Sequence, residues 1–530
     1  MEKEKELKFD KAYLKRTLLI GMAFFGILLV WQLYNSYCSP MLSFLFAKVM
    51  YPNEYAEAYE AFMTASQGGA SLWNFEKYSA FNMTNILIQG HWLNQDAFKD
   101  VQWVVGIVMA LDNIAALFIM PIFGNLSDKT KTKIGKRMPY ILVGSIVTAI
   151  VMPFIPFFFN EGMAAAVAGV TGYTVGMIAM MVLIIVFMMS YRSPAVALMP
   201  DLTPKPLRSR ANGWINIVGY VGGFIGSIFA IIFPLTKYLD GTSSSLMMLE
   251  IPFIACSLVL VASVVILFFT VKENKLAEEL HDDIVRGESM GESAEQVTTD
   301  GKLSKNNVRN LTLILIAEVL WFMSLNAIET FQSNYFMFHL NTSSAGGVVM
   351  TIVSGAASII GFITAGIVAD KIGRKWTIFA GICAVAAVYL AMSFYPSNVP
   401  FTIAADGTKT YIYTFENPNP PVFFFIISFI MGLGASFIHI CSFPLVTDYC
   451  TKEKLGRYTS LYYAASMGAQ SITPILGGLI LKHATFWNAL PIYSTVLMVA
   501  AGAVFFFVKA PHNKDTGKNV KGLEALGADD

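Results

Sequence analysis

The stretch LDNIAALFIMPIFGNLSDKTKTKIGKR, residues 111–137, decides the fold. Its first half is apolar except for Asp112 and Asn113. Its second half breaks off at Gly124 into a knot of Gly, Ser, Asp, Lys and Arg. An edge this sharp is what a chain shows where a helix leaves a bilayer. Hydrocarbon tolerates only apolar side chains, and the headgroup layer next to it favours Lys and Arg.

The rest of the chain agrees. It has 530 residues, 55% hydrophobic and 14% charged, with a mean hydropathy of +0.56. Soluble domains carry about a quarter charged residues. A net charge of +1 gives no bulk pull toward nucleic acid. The five cysteines (38, 256, 383, 441 and 450) lie in or beside apolar runs and form no CxxC pair. Neither a disulfide framework nor a metal site is expected. Twelve apolar runs reach spanning length: 17–46, 101–126, 138–159, 170–198, 211–235, 246–271, 310–339, 346–369, 376–396, 421–447, 457–481 and 486–508. The N-terminus is charged and shows no cleavage pattern, so the first span is expected to stay.

Lys and Arg set the orientation. With the N-terminus inside, the alternate connections and tails assigned to the cytoplasm hold 30 of the 37 basic residues. The outer segments hold Lys48, Lys77, Lys99, Lys237, Lys409 and Lys482, and Arg192 lies within a span. This asymmetry predicts that both termini are cytoplasmic. The fold class expected is an all-α integral membrane protein with twelve transmembrane helices in two six-helix repeats. Its parts are an N-tail (1–16), a first half (17–271), a linker (272–309), a second half (310–508) and a C-tail (509–530).

The repeat is visible in the loops. Gly124-Asn-Leu-Ser-Asp128-Lys with Gly135-Lys136-Arg137 follows span 2. Gly366-Ile-Val-Ala-Asp370-Lys with Gly373-Arg374-Lys375 follows span 8. Asp201 precedes Arg210 by nine residues, as Asp448 precedes Arg457. Parallel halves with equivalent loops are a transporter architecture. A carboxylate favours a helix N-terminus, and an arginine bridges carboxylates and terminal carbonyls. These duplicated Gly, Asp and Arg positions are therefore read as a cytoplasmic gate, joined when the cavity faces outward and broken when it faces inward. Lys129, Lys131 and Lys133 are read as topology signals alone. Asn82 and Asn341 head glycosylation-type triplets, a pattern common by chance.

On these motifs the chain resembles the major facilitator superfamily. The longer first loop resembles that of the plant sucrose transporters and their bacterial relatives, beside the glycoside–pentoside–hexuronide cation symporters. Trp31-Gln32-Leu33 through Ser36, Ser39 and Pro40 matches that branch's W-x-L-x-x-S-x-x-T-P run, with Ser39 in place of Thr. Ile114-Ala115, Pro121 and Gly124 in span 2, and Pro194, Ala197-Leu198 and Asp201-Leu202 at the end of span 4, agree as well. The resemblance implies alternating access and proton-coupled uptake of a disaccharide or related glycoside. It also implies an Asp in span 4 for coupling, but Ile185 stands there. Val196 stands where the branch has an Arg, and Arg192 lies one turn earlier. The branch's coupling site therefore does not carry over residue by residue.

Ionisable side chains inside a span cost roughly 2.5–3.5 kcal/mol to insert and are functional candidates by default. Asp112, Glu329 and Glu318 are the candidates for cation coupling. Glu318 and Glu329 are eleven residues apart on span 7, so they share a helix face. Each acid has the alternative of a structural hydrogen bond to a neighbouring helix. Candidates for sugar contact are Gln32, Tyr34 and Asn35 in span 1, Arg192 in span 4, Asn326 and Gln332 in span 7, His439 in span 10 and Gln470 in span 11. Arg192 has the alternative of snorkelling to the inner interface. The expected partners are a small sugar and the bilayer, with no nucleic acid and no second subunit. No cofactor or metal is expected, and the coupling ion is expected to be H+, with Na+ as the alternative. The chain is expected in the cytoplasmic or plasma membrane. An exporter or exchanger of another amphiphilic solute is the competing function. No nucleophile–base pair or phosphate loop points to an enzyme.

Overall fold

The computed structural model describes residues 10–52, 95–286 and 305–509, with breaks at 166, 205–206, 239–248, 404–408, 412–414, 416, 418, 450–451 and 485. The loop holding Asn82, and most of the linker, lie outside the described residues. Twelve helices are long and apolar enough to cross a membrane. They are spans 1–12: Lys11–Met50, Phe98–Lys129, Met138–Met163, Ala168–Asp201, Ala211–Ile232, Glu250–Thr270, Lys305–Phe338, Ser344–Ala369, Arg374–Ser393, Val422–Val446, Arg457–His483 and Ala489–Phe506. The protein is an all-helical, multi-pass membrane protein. Its β structure among the described residues is a short antiparallel pair, Phe401–Ile403 with Lys409–Tyr411, between spans 9 and 10.

The two halves repeat in three dimensions. In the first half spans 1 and 5, 1 and 6, 2 and 4, 3 and 4, and 3 and 6 pack together. In the second half the same pairs recur as 7 and 11, 7 and 12, 8 and 10, 9 and 10, and 9 and 12. Spans 2 with 11, and 5 with 8, join the halves.

Glycines permit the closest crossings, because bilayer lipid gives helices no hydrophobic reason to associate and backbone proximity must supply the contact. A Cβ on Gly106 would lie 2.1 Å from the Pro474 carbonyl oxygen, and one on Gly478 would lie 2.3 Å from that of Gln102. Spans 2 and 11 therefore meet backbone to backbone at the end of the bundle opposite the termini. Within the first half, Gly222 meets Phe25 of span 1 in the same way, with its Cβ position 2.2 Å from the carbonyl oxygen.

Several polar residues do local structural work. Lys48, fully buried at the end of span 1, donates to the carbonyls of Gly162 (3.1 Å), Met163 (2.7 Å) and Ala165 (2.6 Å) where span 3 ends. It is a helix C-cap rather than a free surface charge. Asn341 is buried and accepts from the Phe415 backbone N–H at 3.2 Å, so its triplet sits inside the fold.

Gly106→Ala is expected to push spans 2 and 11 apart and to cost about 1–3 kcal/mol. Thermal unfolding in detergent should show a lower midpoint than wild type, whereas Gly172→Ala, with open space around its Cβ position, should not.

Candidate functional site: a central cavity closed at one end

The end of the bundle away from the termini is shut by a polar hub inside an aromatic plug. The Asn334 side-chain amide, fully buried on span 7, donates to Ser39 Oγ (3.1 Å), Ser43 Oγ (3.0 Å) and Gln102 Oε1 (2.8 Å) on spans 1 and 2. Gln102 in turn donates to Ser43 Oγ and to the Phe98 carbonyl. Around this hub Phe44 and Phe98 of the first half pack with Phe338 and Trp487 of the second. Phe98 stacks on Phe338 at 4.4 Å, and Phe338 stacks on Trp487 at 5.6 Å. A second link joins Thr236, beyond span 5, to Ser343 at the head of span 8, with the hydroxyls 2.8 Å apart. The Ser344 N–H donates to Thr236 Oγ1 as well.

The other end is open. A cavity of about 940 Å³ begins at Trp31 and Asn113 and reaches Asp128 and Ser460 at the end that carries the termini. Asn113 and Asp128 are fifteen residues apart on one helix, so the cavity runs roughly 22 Å along span 2. Its wall combines Arg192 and Val196 of span 4, Phe322 of span 7, His439 of span 10, and Tyr463, Ser466 and Gln470 of span 11. The rings of Phe322 and His439 lie 5.4 Å apart. The Trp31 ring stacks on Tyr34 at 5.4 Å.

Arg192 and Asn113 line this cavity, and Asp112, next to Asn113 on span 2, brings a second charged group beside it. Asp112 lies within electrostatic reach of both Glu329 and Arg192. Its Oδ1 accepts from the backbone N–H (2.6 Å) and the side-chain amide (2.9 Å) of Asn113. Glu329 is an exposed acid within the long helix of span 7. Ile185, where the resemblance to the sucrose transporters implies an Asp, is buried and apolar.

Of the other residues singled out from sequence, Arg192, His439 and Gln470 line the cavity. Tyr34 lies directly behind Trp31. Asn326 is buried on span 7, and its Oδ1 has no hydrogen-bond partner among the described residues. Asn35 is half-buried on span 1. Two residues turn elsewhere. Gln332 donates to the Gly347 carbonyl (2.6 Å) and to Thr351 Oγ1 (3.1 Å), which ties span 7 to span 8. Gln32 packs beside Gly226 of span 5 and donates to Ser36. Glu318 shares Glu329's helix face by spacing but not its surroundings. It is fully buried one turn from Trp321, whose ring meets Phe505 of span 12.

The loop after span 2 forms a compact electrostatic joint within the first half. Arg137, 4% exposed, binds Asp201 Oδ2 through Nε (2.9 Å) and Asp128 through Nη2. Lys136 also reaches Asp201, at 3.0 Å. Sequence reading missed the third acid. Glu273, just after span 6, accepts from the backbone N–H groups of Lys136, Arg137 and Met138 at 2.9–3.1 Å and so caps the N-terminus of span 3. A Cβ on Gly135 would lie 2.0 Å from Glu273 Oε2, and Gly135 has φ +120°, so this position requires glycine. In the second half Gly373 has φ +88°, and Arg374 donates to the Pro444 carbonyl at 3.4 Å. Arg457 is exposed. Gly366 lies within span 8. The side chains of Arg210, Asp370 and Asp448 lie outside the described residues. Asp128 lines the open end of the cavity.

An occluded end, an open end and buried charges between two repeated halves define a membrane transporter, not an enzyme. The Major Facilitator Superfamily pattern matches residues 78–405 and 408–527, and the chain belongs to that family. It is similar in fold to a bacterial homologue of the human lysosomal transporter Spinster in an inward-facing conformation (13% identity, 95% of this chain and 97% of that one, TM-score 0.56). It is also similar in fold to the xylose transporter of E. coli in an inward-open conformation (12% identity, 98% and 99%, TM-score 0.56). A segment of 93 residues is 32% identical to the lactose permease of Lactobacillus helveticus. That segment is 17% of this chain and spans 14% of the permease's length.

Asn334→Ala removes the donor shared by three buried acceptors, which costs roughly 1–3 kcal/mol for a stranded group. In a cysteine-free background, labelling of Ser39→Cys from the hub side should quicken by several-fold in Asn334→Ala. Unchanged labelling would show that the aromatic plug alone holds the end shut.

Proposed function

We propose that the protein is a proton-coupled symporter that imports a disaccharide or related glycoside by alternating access, with its basic end in the cytoplasm of a cell membrane. The observation that carries this reading is that Asp112 of span 2 lies within electrostatic reach of Glu329 of span 7 and of Arg192 of span 4, next to the cavity that Arg192 and Asn113 line. A carboxyl so placed between the two halves can exchange a proton with one side at a time. Arg192 compensates one negative charge, so the site tolerates a single ionised acid better than two.

The wall chemistry supports a sugar. Trp31 in one half, and Phe322 with Tyr463 in the other, offer flat apolar faces to sugar C–H groups. His439, Ser466 and Gln470 offer hydrogen bonds to hydroxyls. Aromatic faces on both halves suit a two-ring solute that each half grips at one end. The volume is within the range of small-molecule sites, about 300–1,000 Å³. The short segment shared with a lactose permease points the same way. The 30 basic residues in the alternate segments support placing the open end of the cavity in the cytoplasm. The joint around Arg137 holds the first half rigid, and Asp128 at the cavity mouth is positioned to meet the second half when that mouth closes.

Purified protein in proteoliposomes should concentrate labelled sucrose or maltose when the pH gradient is inward, and a protonophore should abolish this. Asp112→Asn should lose accumulation by tenfold or more while keeping exchange at equal pH. Accumulation driven by a sodium gradient alone would assign Na+ as the coupling ion. Wild-type accumulation and pH dependence in Asp112→Asn would remove Asp112 from the coupling step.

A further inference from the structure

Tyr34 is 1% exposed on span 1, and its hydroxyl has no hydrogen-bond partner among the described residues. A buried hydroxyl left in that condition costs about 1–3 kcal/mol, so it calls for a function or for another state in which it is satisfied. Phenylalanine would fill the same volume without the cost. The ring is fixed by stacking on Trp31, which lines the cavity. The charged and titratable groups near the hydroxyl are Asp112 on span 2 and Cys38 one turn along span 1. Those near Asp112 are Glu329 on span 7 and Arg192 on span 4. In this arrangement two hydrogen bonds reach Asp112 Oδ1, both from Asn113 on its own helix.

We infer that Tyr34 is a positioning residue for the coupling carboxyl: its hydroxyl donates to Asp112 Oδ2 in the state in which that carboxyl is charged and shut away from the cavity. This inference rests on the symport reading for its role in transport, and on the buried, unpartnered hydroxyl, its ring stack on Trp31 and its nearness to Asp112 for the contact. In the open arrangement the bond is undone and the carboxyl is left to the cavity. When the cavity mouth closes, spans 1 and 2 bring the hydroxyl onto Oδ2. A charged Asp112 is then held by one donor from span 1 and two from Asn113. Protonation of the carboxyl weakens the Tyr34 bond, because a neutral acid is a poorer acceptor than a carboxylate. Span 1 is thereby told which form Asp112 is in. Since span 1 also carries Ser39 and Ser43 of the hub, the protonation state of Asp112 acts on the element that closes the far end.

The test is Tyr34→Phe, which keeps the ring stack and removes only the hydroxyl. Uptake of labelled sucrose and maltose in proteoliposomes is measured against pH. A substrate-free companion is the pH titration of Trp31 fluorescence, taken as the difference between wild type and Trp31→Phe in each background. Without its donor, a charged Asp112 takes up a proton more readily. Both midpoints should therefore move to higher pH by about half to one unit, with the folded fraction unchanged. In Asp112→Asn the fluorescence transition should vanish, and Tyr34→Phe should add nothing. If Asp112→Asn abolishes the transition but Tyr34→Phe leaves both curves on the wild type, the Tyr34 contact is wrong and the symport reading stands. If neither variant alters either curve, both fail. Loss of folding in Tyr34→Phe would show that the hydroxyl is structural, and would overturn the inference.

Discussion

The structure turns on one buried amide. Asn334 ties span 7 to spans 1 and 2, and its two protons serve three acceptors on the opposite half. In apolar surroundings such a hub is all or none. Broken without water, it strands the Asn334 amide, Ser39 Oγ and Gln102 Oε1, each at a cost of a few kcal/mol. Broken with water, it is rehydrated cheaply. The end of the bundle can therefore be shut and dry or open and wet, and intermediate openings are disfavoured. The stacked rings of Phe98, Phe338 and Trp487 reinforce this by excluding water while the hub is closed. The close crossing of spans 2 and 11 at Gly106 and Gly478 lets the helices approach near enough for the hub to form.

Two states at one end imply two states at the other, because each half behaves as a packed unit. The joint of Arg137, Asp128, Asp201 and Glu273 ties the ends of spans 2, 3, 4 and 6 into one piece, and Lys48 pins the outer end of span 1 to the end of span 3. A rigid half can rock, and rocking exchanges which end is closed. Asp112 on span 2 and Glu329 on span 7 bring one acid from each half within electrostatic reach of the other. In our proposal this location lets a proton bias the rocking equilibrium.

Much of this was legible in the sequence, for definite reasons. Apolar runs of spanning length have no soluble alternative, so all twelve spans were visible, and the duplicated Gly, Asp and Arg loops revealed the two halves. Asp112 and Glu329 could be picked out because an acid in hydrocarbon is costly wherever it points. The geometry around Arg137 was not legible in full. The sequence suggested a gate between the halves, whereas its described contacts hold the first half together, because in this arrangement the cavity mouth is open. Glu273 escaped notice because it sits in a charged linker, where one more acid carries no signal; only the fold shows that it caps span 3. In the sequence Gln102 and Asn334 are two polar residues among many near helix ends. Pairing them requires knowing that spans 2 and 7 meet there. Lys48 resembled a topology charge for the same reason. Gln32 and Gln332 show the converse: helical position brought them close to the cavity, but side-chain direction turned them to spans 5 and 8.

If the halves rock as packed units, the two ends open in opposition. Spin labels at Lys129→Cys and Leu461→Cys report the mouth of the cavity, and labels at Ile232→Cys and Val422→Cys report the hub end. Pulsed electron-spin distances should be collected in lipid across pH, with and without sugar. Whatever shortens the first distance should lengthen the second. Distances that change in the same sense at both ends, or a hub end that opens while the cavity mouth stays open, would contradict it.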